Sequence, residues 1–221
     1  MEALPISAPR EALPWYRAWW QAVARPNVAA YEDLIARPDV TTGKAVLWVF
    51  LSALAGWFLA APLLLAFGLP SAFNTQASGL GREITSLGVG LMCVLPVLSV
   101  LNVLGLLILT GLNQIIARAL GGTGSYTPLV YSVAAYSAPL AIILPAMSVV
   151  PFVSCLSSLV SLYAAYLNIV AIRAAHRLSW GRAFLSSTLM IGIILAVLTC
   201  VCLVAFGLLA GLYTAGTGSR G

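Results

Sequence analysis

The sequence predicts an all-α, polytopic membrane protein: a bundle of five transmembrane helices with short amphipathic N-terminal helices. Three observations predict it. Of the 221 residues, 61% are hydrophobic and only 8% are charged, far from the balance of a soluble domain of this length. The chain holds five apolar runs, each long enough for the roughly 20 residues a helix needs to cross a hydrocarbon layer about 30 Å thick. The basic residues gather between these runs rather than within them.

The stretch 1–43 is the only sizeable region that could sit in water. Pro14 can open a helix in which Trp15, Trp19, Ala22 and Val23 share a face, with Tyr16 and Trp20 beside them and Arg17, Gln21 and Arg25 opposite. Aromatic rings opposite arginine favour the headgroup layer, so Trp15, Trp19 and Trp20 are candidate membrane-interface residues. A second short helix is expected after Asn27 as cap, with Val28, Tyr31, Leu34 and Ile35 apolar, ending before Pro38. Both helices lie either on lipid or on the ends of the spans. No cleaved signal peptide is expected, because the first long apolar run follows this polar and aromatic segment.

The spans occupy 44–214, leaving 215–221 as a short exposed tail. The first runs from Lys44 to Leu69. A Gly-, Ser-, Asn- and Thr-rich connector, expected to be flexible, then extends from Pro70 to Ser86. The second span covers Leu87 to Ala117 and is longer than one crossing, so a kink at Pro96 or a short interfacial lead-in is expected. The GGTGSY segment from Gly121 to Tyr126 reads as a tight turn: a phosphate-cradling loop would need a following lysine and a preceding strand. The third span runs from Pro128 to Val149 and contains Pro139 and Pro145. The fourth runs from Phe152 to Ile172 and ends in Arg173, His176 and Arg177, and the fifth covers Ala183 to Tyr213.

Loops retained in the cytoplasm are enriched in Lys and Arg. With the N-terminus inside and the C-terminus outside, only Arg82 and Arg220 of the 11 basic residues are exported. The reverse orientation would export nearly all of them. The net charge of +5 therefore reads as a topology signal with attraction to anionic headgroups, about 1 kcal/mol per basic residue near the surface. Arg173, His176, Arg177 and Arg182 are interface candidates on that reasoning. No basic run has the length or aromatic interleaving that nucleic-acid binding requires.

Polar residues within the spans are costly unless satisfied. Asn102 and Asn113 lie on one face of the second span, and Ser154, Ser158, Ser161, Ala165 and Asn168 form a small and polar stripe on the fourth. Gly207 and Gly211 make a GxxxG pair in the fifth, serving packing within the chain or a homo-oligomer. Helix packing accounts for all three patterns, and a polar pathway built from Asn102, Asn113, Ser158, Ser161 and Asn168 is the alternative. Cys93, Cys155, Cys200 and Cys202 fall within apolar runs and read as small buried thiols. A single histidine, read as headgroup-facing, and no carboxylate pair in a span speak against catalysis, metal and cofactor alike.

Three segments carry a family resemblance: RPNVAAYEDLIARPDVTTGKAVLW before the first span, ALGGTGSYTPLVYSVAAYSAP entering the third, and AAHRLSWGRA leading into the fifth. In that order they resemble the Yip domain family of Ypt/Rab-interacting membrane proteins, from about Arg25 onward. The resemblance implies five helices, a cytoplasmic N-terminus and a short exposed C-terminus. In the family's eukaryotic branch it implies binding of prenylated Rab GTPases and work in vesicle formation or membrane shaping. The short N-terminus, with ARPDVTTGK in place of a D-L-Y-G-P type element, and the alanine-rich spans look like the bacterial branch, which has no Rab partners. The expectation is a non-enzymatic organiser or adaptor of a bacterial plasma membrane, contacting lipid and a protein partner at its cytoplasmic face. The alternative is a small transporter or channel.

Overall fold

A computed structural model describes residues 12–64, 80–150 and 152–218, with side-chain surroundings for all of these except 80–93 and 207–218. Among the described residues there are seven helices, which we label in chain order: α1 (Trp15–Ala24), α2 (Val28–Ile35), α3 (Thr42–Leu63), α4 (Leu80–Ala119), α5 (Tyr126–Val149), α6 (Ser154–His176) and α7 (Trp180–Gly218). The last five are long and apolar enough to cross a membrane, over Thr42–Leu63, Val94–Ala119, Tyr126–Val149, Ser154–His176 and Trp180–Phe206.

Local signals place the helix starts. Asn27 accepts a hydrogen bond from the Ala30 amide at 2.7 Å, and the Thr41 hydroxyl accepts from the Lys44 amide at 3.3 Å, each satisfying a donor left free in a first turn. Arg177 ends α6 in the left-handed conformation, φ 54°. Helix α4 runs unbroken through Pro96 and begins at Leu80, so the connector expected to reach Ser86 is already helical there. Proline is tolerated in such helices because neighbouring groups take up the backbone partners it frees. Helices α6 and α7 run past their expected ends, to His176 and Gly218.

Helix α5 is the axis of the bundle. In its apolar window 56% of residues are buried, against 6% in that of α7. It packs most extensively on α3, and also meets α6, α4 and α1. The α3–α5 approach depends on Gly56: a Cβ there would lie 2.0 Å from the Ala141 carbonyl oxygen, so only a residue without a side chain allows the two backbones to meet. Helix α7 leans on α4 and α6 through Ala183, Ser186, Ser187 and Met190, beyond which its side chains to Phe206 are almost all exposed. In water such a surface would aggregate; in hydrocarbon it is the expected outer face.

Candidate functional site

Two regions concentrate the polar and aromatic chemistry. The first lies at the end of the bundle where α3, α5 and α7 begin. There α1 packs on α5, and α2 packs on α6 and α5, so the N-terminal helices lie against protein and the choice between lipid and bundle is decided for the bundle. Ala18 and Ala22 of α1 and Tyr31 and Leu34 of α2 are fully buried. The Tyr31 hydroxyl donates to the Ala22 carbonyl at 3.1 Å, and burial raises its pKa above the ordinary tyrosine value. Gln21, expected on the solvent side of α1, instead donates to the Ala30 carbonyl and to Asp33 of α2. From α6, the Tyr163 and Tyr166 hydroxyls donate to the Val23 and Pro26 carbonyls.

The three tryptophans expected at the interface divide. Trp19 turns inward and meets the ring of Trp48 edge-on, centroids 6.2 Å apart, and Trp48 lies against Tyr131. Trp15 packs its ring on Trp19 but stays 53% exposed, and Trp20 is 71% exposed. Helical periodicity grouped these rings; which of them faces the bundle depends on the docking angle of α1, which the sequence alone does not state.

The basic cluster divides as well. The Arg173 guanidinium sits 4.4 Å from the centroid of Trp180, which stacks on Tyr166. Arg177 and Arg182 are exposed, and Arg182 reaches the Leu120 carbonyl at 3.4 Å. His176 is a correction. It is 1% exposed rather than headgroup-facing, because the Gly121–Ser125 turn closes over it. The Thr123 amide donates to the His176 carbonyl, and a Cβ on Gly124 would strike the Ala175 carbonyl oxygen at 2.0 Å. The glycine-rich segment is thus a tight turn clasping the end of α6.

The second region is within the spans. Asn102 and Asn113 do share a face of α4, as expected, and that face lines a cavity of about 380 Å³ together with Ser137 of α5, Asn168 of α6 and Met190 of α7. A cavity of about 420 Å³ adjoins it, sharing Asn102, Tyr136 and Ser137 and continuing past Ser161 and Ser157 to Ser148. Asn168 is held in place: its Oδ1 accepts from the Tyr136 hydroxyl and its Nδ2 donates to Ser187 Oγ, both at 3.3 Å. The Asn113 Oδ1 and Ser137 Oγ atoms are buried with no hydrogen-bond partner among the described residues.

The stripe expected on α6 is not one packed seam. Asn168 is buried, Ser154 and Ala165 are half-buried, and Ser158 and Ser161 are exposed. The packed face of this helix is Leu167, Asn168, Ala171, Ala174 and Ala175, confined to its second half. Ser158 lines neither cavity; Ser157, one position away, does. Cys155, Cys200 and Cys202 are likewise exposed on outward helix faces rather than buried, since the halves of α6 and α7 that carry them have few neighbours. Gly207, Gly211 and Cys93 fall in helical stretches whose surroundings lie outside the described residues. Sequence reasoning passed over Ser137, Tyr136 and Ser148, because a polar residue on the central helix carries no periodic signal when its neighbours are apolar all round. Among the described residues, no group of three or more His, Cys, Asp or Glu could hold a metal ion.

No curated protein and no solved structure matches the chain. The family model of the Yip1 domain matches residues 20–201, from the second half of α1 to the exposed part of α7, and so covers α2, both glycine contacts and both cavities. With five apolar helices of spanning length in that frame, the chain is an integral membrane protein belonging to the Yip1 domain family.

Proposed function

We propose that the chain is a non-enzymatic organiser or adaptor of a bacterial plasma membrane, oriented with its N-terminus in the cytoplasm. Its recognition face is then the end of the bundle that carries α1, α2 and the turns bearing Arg118, Arg177 and Arg182. One observation carries this reading: α1 is fastened to the bundle through Trp19, Ala18 and Ala22, yet it leaves Trp15, Tyr16 and Trp20 exposed. A helix whose inner side is anchored holds its outer rings in place, so little ordering entropy is lost when they meet a partner or a headgroup layer. The exposed Arg118, Arg177 and Arg182, at the end of α4, on the turn before α7 and at the start of α7, add attraction for anionic surfaces.

The test replaces Trp15 and Trp20 together by Ser and leaves Trp19, which serves packing. Partner recovery after mild solubilisation and binding to anionic vesicles should both fall several-fold while the melting of the five spans, whose core holds neither ring, stays in place. Unchanged behaviour in both assays would overturn the reading.

A further inference from the structure

We infer that the two joined cavities form one lateral groove that carries phospholipid headgroups between the leaflets, the acyl chains remaining in the surrounding bilayer. This activity goes beyond the adaptor role and rests on other residues. The first support is length. From Asn113 to Asn102 the groove follows α4 for eleven residues, and from Ser137, which borders both cavities as Asn102 does, it follows α5 for eleven more to Ser148. At 1.5 Å per residue the two stretches together come to about 33 Å, the thickness of the hydrocarbon layer.

The second support is chemistry. A headgroup crossing hydrocarbon loses its water shell, and the cost is large unless donors and acceptors replace that shell. Asn113, Asn168, Ser137, Asn102, Ser161 and Ser148 supply them at intervals, and among the described residues no Asp, Glu, Lys or Arg lines either cavity. A neutral lining offers hydrogen bonds without trapping one sign of charge, so zwitterionic and anionic headgroups should pass at comparable rates.

The third support is the pair of buried atoms without partners among the described residues, Asn113 Oδ1 and Ser137 Oγ, in the wall of the groove. Buried polar atoms are ordinarily satisfied, and these two are placed to bond a visiting polar group. The fourth is access. Asn102, Ser148 and Ser161 are exposed on the helix surface, so the groove opens sideways toward the lipid rather than enclosing an aqueous pore.

The full chain reconstituted in phosphatidylcholine vesicles containing a trace of headgroup-fluorescent phosphatidylethanolamine provides the test, with membrane-impermeant dithionite added outside. Protein-free vesicles retain the inner-leaflet signal; vesicles with the protein should lose it, while a water-soluble dye sealed inside stays bright. Asn102→Leu and Ser161→Leu alter exposed positions that the fold does not need, and each should slow the loss about tenfold, the factor that one hydrogen bond worth about 1.4 kcal/mol on the barrier carries. Ser158→Leu, outside the groove, and the Trp15→Ser, Trp20→Ser double variant should both retain the wild-type rate. An inner-leaflet signal that survives the correctly folded protein, full speed in both groove variants, or bleaching of the sealed dye would each overturn the proposal, and none would bear on the adaptor role.

Discussion

Placing a methyl group at Gly56 tests the packing on which the bundle rests. In the folded chain the new Cβ would lie 2.0 Å from the Ala141 carbonyl oxygen and 3.1 Å from the Ile142 Cα, where ordinary contact begins at 3.4 Å. Helices α3 and α5 would have to separate by about 1.4 Å along that direction, the difference between those distances. Backbone stands on the opposing side, so no rotamer change relieves the clash. Overpacking of this kind costs about 1–3 kcal/mol, and the upper end applies to a backbone obstacle. Alanine returns about 1 kcal/mol of helix propensity, for a net loss near 2 kcal/mol. For a chain of this size that is about 4–8 °C in melting temperature. Trp48 and Trp57, two of the six tryptophans, lie on α3, so tryptophan fluorescence during heating in detergent includes a signal from that helix. Gly105→Ala and Gly111→Ala are the controls, since a Cβ at either position meets nothing within 4 Å and should leave stability unchanged or slightly raised. A Gly56→Ala protein that melts with these controls would refute the close approach.

Two further outcomes follow from the docked N-terminal helices and from the charge distribution. Tyr163→Phe removes the hydroxyl that holds the Val23 carbonyl and should weaken docking of α1 and α2 by about 1 kcal/mol, speeding proteolysis near Arg25 roughly fivefold while leaving the melting of the spans in place; cleavage at the wild-type rate would mean the bond is dispensable. In a cysteine-free background, Phe152→Cys, at a position 95% exposed between α5 and α6, should react with an impermeant maleimide on intact cells, whereas Thr123→Cys and Arg177→Cys should react only after permeabilisation; the opposite pattern would reverse the proposed orientation.

The polar rows show how far reasoning from the sequence reaches. Asn102 and Asn113 could be placed on one face because a single helix has a fixed period, and the structure keeps them there beside one cavity. The stripe on α6 obeyed the same period, yet Ser158 faces outward, because the azimuth of a helix is set by its neighbours and not by its own repeat. His176 gives the same lesson at a turn. Its flanking Arg173 and Arg177 mark the end of a span, while the closure of Gly122 and Gly124 over the ring comes from residues some fifty positions earlier in the chain.

What the sequence by itself determined was the number of spans, their approximate ends, the cap at Asn27 and the charged borders. These depend on the partition of each segment between water and hydrocarbon and on hydrogen bonds within a few residues, both local quantities. Only the tertiary structure decided that α1 and α2 rest on protein, that Trp19 turns in while Trp20 turns out, and that Asn102, Ser137 and Asn168, from three helices, border one groove. Those outcomes require knowing how helices rotate and approach one another, and that is governed by contacts such as Gly56 on Ala141 between residues remote in the chain.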